Sequence, residues 1–251
     1  MLFRSGSSLT PVSVCLGLSA LETGVKLLPL SVTLIAAAVG IPKLFPNVSP
    51  RLVVRSGLLA LLAGALVLLG GLDADAGAEI VLVPMLLVGL GIGALASQLG
   101  SVTVSAVPDE ESSEVGGVQN TMTNLGISLG TALAGSILIA TLTTAFLTNI
   151  EQSSAIPNRV KEQAQVELAG GVPFISDADL NATLDKAHLS SRATDDAVAA
   201  YQDARIDGLR SALAILALLA IVALFLAQRI PTVQPGQEGH ARASAAPSGA
   251  T

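Results

Sequence analysis

The sequence predicts an all-α integral membrane protein. Hydrophobic residues make up 51% of its 251 residues and charged residues only 13%, whereas about 25% of the residues of a soluble domain are charged. The mean hydropathy is +0.68. A second observation is a pair of long uncharged segments within 79–148, joined by the acidic turn PDEESSEVGG. Each is longer than the roughly 20 residues that an α-helix needs to cross a hydrocarbon core of about 30 Å. This pair is typical of a transmembrane helical hairpin.

Five apolar segments predict five transmembrane helices, at 25–45, 52–71, 80–107, 116–147 and 207–229. Residues 1–24 are interpreted as a leader or as the stump of a truncated helix. Their apolar part is short and is broken by Ser, Pro and Gly, unlike that of a signal peptide. Ser19 and Glu22 resemble a capping box for the first helix.

Residues 149–206 have the composition of a soluble segment and predict an extracytoplasmic helical region. One short amphipathic helix is expected at IPNRVKEQAQVELAGG, and a second at SDADLNATLDKAHL with Ser176 as its N-cap. From Thr194 a continuous helical pattern runs to Arg229. Only its second half, from about Leu209, is apolar enough for lipid, so this helix should rise out of the bilayer by several turns.

An odd number of spans places the two termini on opposite sides of the membrane. The positive-inside rule puts the basic residues around the first connection and at or beyond the end of the last span in the cytoplasm; these are Lys43, Arg51 and Arg55, and Arg229 and Arg242. The N-terminus is then outside, and residues 230–251, rich in Pro, Gly, Ala and Ser, form a disordered cytoplasmic tail of a plasma-membrane protein. Arg205 and Arg210 count against this orientation, because they flank the outer end of the last span.

Small residues recur at helical spacing in the central hairpin. They are Gly89, Gly93 and Ser97 on its first helix, and Gly126 and Gly130 on its second. Residues four apart share a helix face, and small ones let two backbones approach closely in lipid. We therefore predict helix-packing sites at these five positions. The run GLGIG also matches part of a dinucleotide fingerprint, but that motif needs a preceding strand within a βαβ unit, and the sequence predicts neither.

Three stretches resemble the last five helices of a major facilitator superfamily transporter. They are SALETGVKLLPLSVTLIAAAVG, PRLVVRSGLLALLAGALVLL and VPMLLVGLGIGALASQLGSVTVSAVPDEESSEVGGVQNTMTNLGISLGTALAG. The resemblance is to the fourteen-span drug:proton antiporter family of multidrug exporters, and it extends from about Leu18 to Arg229. It implies export of hydrophobic small molecules by alternating access, driven by protons. It also implies that the chain is the C-terminal portion of such a transporter, and that its partner is a missing N-terminal half in the same or a separate chain.

The chain departs from that family in two respects. The family's basic loop motif is present only as Pro50, Arg51 and Arg55, and Pro46 stands where its Asp is expected. In addition, no predicted span contains an internal Asp or Glu, the usual proton carriers within membranes. Coupled transport by these five spans alone is therefore not expected. The rival hypothesis is a truncated or split membrane protein that binds or regulates a partner without transporting.

The polar residues inside the spans are neutral. The candidates for contact with a substrate in a central cavity are Gln98, Asn120, Thr121 and Asn124. The alternative, which the sequence favours, is that they hydrogen-bond one helix to another. No nucleophile–base pair, phosphate loop or metal-ligand spacing stands out, so neither an enzyme nor a cofactor or metal is predicted. No basic patch indicates nucleic acid.

Overall fold

The computed structural model describes residues 20–72, 81–104, 112–186 and 190–230. All the regular elements in these ranges are helices: α1 Ala20–Leu44, α2 Pro50–Gly71, α3 Leu82–Val104, α4 Ser112–Gln152, α5 Asn158–Glu167, α6 Asp177–Lys186, and α7 Ser191–Leu226, which ends in a 3₁₀ turn, Ala227–Arg229. Most of the predicted leader, the tail from 231 onward and the first four residues of the acidic turn, 108–111, lie outside the described residues.

Four helices are long and apolar enough to cross a membrane, namely α1, α2, α4 and α7. The apolar part of α3 with described side chains, Leu82–Gln98, is shorter. The all-α membrane class is thereby confirmed, and the chain is a multi-pass protein whose surroundings are lipid. The count of five spans stays a prediction.

The helices contribute to two compact units, which we call the bundle unit and the cap unit. Of the described residues, the bundle unit comprises Pro29–Val67, 83–104, 112–131 and 216–230. The cap unit comprises 20–28, 68–72, 81–82, 132–186 and 190–215.

Two helices are much longer than a bilayer requires. At roughly 1.5 Å per residue, the 41 residues of α4 and the 36 of α7 give lengths of about 61 Å and 54 Å. In the cap unit the C-terminal part of α4 packs on the N-terminal part of α7, and α5 and α6 cover both. The buried cluster there consists of Leu142, Phe146, Ile150, Ile156, Val172, Leu180, Ala193, Ala197, Ala200, Tyr201 and Ala204.

Alanine and glycine on α7 let α4 approach closely. Ala197, Ala200 and Ala204 are buried at spacings of three and four residues, which places them on one helix face. One turn further on, a Cβ added at Gly208 would lie 2.9 Å from the carbonyl oxygen of Leu138. The two backbones are therefore in contact at Gly208, and only a residue without a side chain fits there.

Hydrogen bonds and an ion pair hold the segment between α5 and α6, and the first residue of α6, on this core. Tyr201, with 1% of its surface exposed, donates its hydroxyl hydrogen to the carbonyl of Pro173 at 2.9 Å and accepts from the N–H of Ile175 at 2.8 Å. Its ring meets that of Phe146 edge to face, with centroids 5.6 Å apart. Arg205, also buried, pairs with Asp177 at 2.8 Å.

Several helix ends lie a few residues from the predicted bounds, among them the starts of α1 at Ala20 and of α4 at Ser112, and two further differences have a clear cause. Helix α4 continues to Gln152 instead of ending at 147, because Ile150 is buried in the cap core and Asn149 donates to the carbonyl of Ala200. Helix α7 starts at Ser191, three residues before the predicted Thr194, because the Ser190 hydroxyl accepts from a first-turn N–H as an N-cap.

Candidate functional site

Helix α3 packs on α1 through the glycines that the sequence singled out. A Cβ added at Gly89 would collide with the Leu30 carbonyl and the Thr33 hydroxyl of α1. One turn later, a Cβ added at Gly93 would lie 2.7 Å from the Cβ of Ala37 and still closer to the Leu34 carbonyl. Hydrogen is the only substituent that fits at either position, and this is the geometry expected of small residues at a helix interface in lipid.

A second face of α3 packs on α2, and the sequence analysis did not identify it. A Cβ at Gly91 would lie 2.7 Å from the carbonyl oxygen of Gly57, and a Cβ at Gly57 would lie 3.0 Å from that of Gly91. Gly64, two turns beyond Gly57, is equally tight against Val88. The sequence does contain a signal for this contact, namely the seven-residue spacing of Gly57 and Gly64 within a helix otherwise rich in leucine and alanine.

The C-terminal part of α3 carries the first candidate substrate group. Gln98 is 6% exposed, and its amide nitrogen donates to the Ser97 hydroxyl at 3.2 Å. The Ser97 hydroxyl in turn donates to the Ala94 carbonyl at 2.7 Å. Both side chains therefore take part in hydrogen bonds along α3.

The other candidates lie on α4, where residues 120–129 are all exposed. The Thr121 hydroxyl donates to the Gly117 carbonyl at 2.9 Å, and the Asn124 amide donates to the Asn120 carbonyl at 2.9 Å. Apolar neighbours on every side of this stretch are exposed too, for example Met122 and Ile127 at 59% and 61%. This part of α4 thus combines apolar and neutral polar side chains with no described residue packed over them.

Gly126 and Gly130 lie on the same open stretch or at its edge. No described atom comes within 4 Å of a Cβ built at either position. The predicted packing role of these two glycines therefore finds no partner among the described residues, in contrast to that of Gly89 and Gly93. For Gly126 and Gly130 it stays a prediction.

Arg51 of the basic loop motif connects the start of α2 to the end of the last helix, within the bundle unit. The Arg51 guanidinium Nε donates to the carbonyl of Ile230 at 2.7 Å, immediately after the 3₁₀ turn that ends the last helix. Pro50 is buried at the first turn of α2, and Arg55 is exposed. Arg51 thereby satisfies a carbonyl at a helix end, where intrahelical donors run out.

The fold and these residues define a multi-pass membrane protein whose spans are held by close glycine contacts and carry neutral polar side chains. Over 207 residues, 82% of its length, the chain is 26% identical to the multidrug resistance protein Stp of Mycobacterium tuberculosis strain CDC 1551, and equally so to that of strain H37Rv. Over 160 residues, 62% of its length, it is 31% identical to the tetracenomycin C resistance and export protein of Streptomyces glaucescens.

The matched regions make up 36% of Stp and 30% of the Streptomyces protein. The chain thus spans about a third of the length of the curated relatives it matches. No protein-family model matches the chain, and no solved structure matches it. Its relatives are multidrug resistance and export proteins, and the chain is similar to a part of them.

Proposed function

We propose that this chain is the C-terminal portion of a proton-coupled multidrug exporter of the major facilitator superfamily, in the fourteen-span drug:proton antiporter family. Two relatives named for multidrug resistance and for export support this proposal. The portion lies in the plasma membrane with its N-terminus outside and its C-terminus in the cytoplasm. It takes part in expelling hydrophobic small molecules by alternating access and performs no enzymatic step.

The observation that carries the proposal is the open stretch of α4 at 120–129. A helix that contacts only lipid has no use for amide side chains on its surface, since burying polar groups in hydrocarbon is unfavourable. Asn120, Thr121 and Asn124 are exposed there together with Gly126, a residue type typical of close helix contacts. We infer that the N-terminal half of the transporter packs against this stretch.

In this arrangement the substrate cavity lies between the two halves, near the middle of the membrane, as is usual in transporters. Asn120, Thr121 and Asn124 face it from α4, and Gln98 contributes from α3. The carboxylates that carry protons belong to the other half, because the spans predicted here contain no internal Asp or Glu.

The first test is the mass of the native polypeptide in membranes of its source organism, detected with an antibody against residues 149–191. The calculated mass of the present sequence is 25.2 kDa. We expect either a band well above this value or a 25.2 kDa band that co-purifies with a separately encoded N-terminal half. A 25.2 kDa band without such a half would contradict the proposal. It would favour a protein that binds or regulates another partner through the open stretch of α4.

The second test measures drug accumulation in exporter-deficient cells. The complete transporter should lower accumulation of a lipophilic dye, and this chain alone should not. Asn124→Leu should reduce efflux by the complete transporter, and Thr148→Val, which alters an exposed hydroxyl bonded within the cap part of α4, should not. Efflux by the isolated chain, or full efflux by Asn124→Leu, would refute the assigned roles.

A further inference from the structure

The cap unit contains a cavity of about 360 Å³ that is open to solvent on one side. Its lining comes from α4, α5, α6, α7 and the segment between α5 and α6, and it is mainly apolar; Phe146, Ile156, Val160, Leu180, Ala197 and Tyr201 are representative. Protein cores are normally packed with few voids larger than a water molecule. A space of this size lies instead within the range of about 300 to 1,000 Å³ typical of small-molecule pockets.

Hydrogen bonds within the cap unit hold the walls of the cavity. Pro173 and Ile175 line it, and both are held by the Tyr201 hydroxyl. Val172, another lining residue, donates its N–H to the Thr143 hydroxyl at 2.9 Å. A ligand therefore meets a preformed site and does not have to order these walls, which reduces the free-energy cost of binding.

Among the described residues, the lining of the cavity carries a single charge. Glu167 is the one ionisable carboxylate among the described residues that line the cavity, and it is exposed, so it lies where the cavity meets solvent. Its carboxylate accepts from the Gln163 amide at 2.8 Å. Helix α5 also carries two basic residues, Arg159 and Lys161, and neither is part of the lining. Lys161 is bonded to the carbonyls of Glu151 and Ser153.

We propose that the cap cavity is a binding site for a small apolar amine. The apolar body of the ligand occupies the cavity between α5, α6 and α7, and its ammonium group lies at the edge, against the carboxylate of Glu167. An apolar interior with a few polar groups that fix orientation is the usual composition of a small-molecule site. The site binds its ligand whether or not the chain takes part in transport, so its test is independent of the function proposed above.

The test is photolabelling of the full chain in lipid nanodiscs with two matched probes. One is a trifluoromethyl-phenyldiazirine benzylamine, and the other is the corresponding benzyl alcohol, which has a similar shape without the charge. Mass spectrometry of tryptic peptides locates the label. We expect saturable labelling by the amine in peptide 162–186, which contains Glu167, Pro173 and Leu180, and competition by unlabelled benzylamine.

Glu167→Gln tests the charge. It should raise the amine concentration at half-saturation about two- to fivefold, the range expected for an exposed charge pair. The half-saturating concentration of the alcohol should not change. Ala197→Leu and Ala164→Leu fill the cavity from α7 and from α5, and both probes should then lose their saturable labelling. The matched control is Ala199→Leu, an exposed position two residues along α7, which should label like the wild type.

Three results would overturn the proposal. The first is labelling of peptide 162–186 that does not saturate, or that persists in both Ala197→Leu and Ala164→Leu. The second is equal binding of amine and alcohol with no effect of Glu167→Gln, which would exclude the amine as the ligand class. The third is a lipid acyl chain that co-purifies in the cavity and is not displaced by benzylamine.

Discussion

Replacing Gly91 by alanine should push α3 and α2 apart. The added Cβ would lie 2.5 Å from the Cγ of Leu61 and 2.7 Å from the carbonyl oxygen of Gly57, whereas ordinary contact begins at 3.4 Å. Leu61 can change its rotamer, but the Gly57 oxygen belongs to the backbone and moves only with its helix. The two helices must therefore separate by several tenths of an ångström. Overpacking of this kind typically destabilises by about 1–3 kcal/mol.

Gly126→Ala is the matched control on a helix of the same unit. No described atom lies within 4 Å of the added Cβ, so nothing has to move. Alanine is favoured over glycine in a helix interior by about 1 kcal/mol. In the chain alone Gly126→Ala should therefore be neutral or slightly stabilising, and the two variants should differ by about 1–4 kcal/mol in their free energy of unfolding.

The measurement is reversible unfolding of the full chain in mixed dodecylmaltoside and SDS micelles, followed by far-UV circular dichroism. Gly91→Ala should unfold at a lower SDS fraction than the wild type, and Gly126→Ala should not. The reasoning fails if Gly91→Ala unfolds with the wild type, because the α2–α3 contact would then be looser than described. It also fails if Gly126→Ala loses as much stability as Gly91→Ala.

Two further substitutions test single hydrogen bonds. Tyr201→Phe keeps the ring but leaves the partly buried N–H of Ile175 without its acceptor, at a cost of about 1–3 kcal/mol, so hydrogen exchange of the 171–176 segment should accelerate about 5- to 150-fold. Unchanged exchange would exclude this bond as a support of the cap. Arg51→Gln removes the bond to the Ile230 carbonyl and should speed tryptic cleavage after the last helix. Arg55→Gln, at an exposed position, should not, and equal cleavage in both variants would argue against the bond.

The packing of α3 shows which helix contacts the spacing of small residues predicts and which it misses. Gly89 and Gly93 were identified because a four-residue spacing marks one helix face, and the structure places both against α1. Gly91 lies between them in sequence and on another face, against Gly57. A helix between two neighbours needs small residues on two faces, and a single spacing rule detects only one of them.

The helix ends depend on contacts that a local pattern does not contain. Asn149 is polar and suggests the end of an apolar span, but its side chain bonds to Ala200, 51 residues away in sequence. The burial of Ile150 in the cap core then extends α4 beyond it. In contrast, Ser176 was predicted as an N-cap from adjacent residues alone, and its hydroxyl does accept the N–H of Asp179.

The cap core was the feature least accessible to sequence reasoning. Two short amphipathic helices were expected at 156–171 and 176–189, and α5 and α6 lie there. Tyr201, which holds the segment between these two helices, was not singled out, because a lone tyrosine in an alanine-rich helix carries no local signal. Its importance follows from bonds to Pro173 and Ile175, more than 20 residues away in sequence.

The hydrogen bonds within α4 decide what its open stretch offers to a ligand. The Thr121 hydroxyl has one hydrogen and donates it to the Gly117 carbonyl, and the Asn124 amide donates to the carbonyl and side-chain oxygen of Asn120. The lone pairs of the Thr121 hydroxyl and of the Asn124 side-chain oxygen are left as acceptors. A ligand that donates hydrogen bonds, such as an ammonium ion, can bind these atoms while the helix keeps its own bonds, and the side-chain amide N–H groups of Asn120 can donate to an acceptor in the same way. The open stretch therefore offers both donors and acceptors, whereas the one carboxylate among the described residues that line the cap cavity, Glu167, favours a cation there.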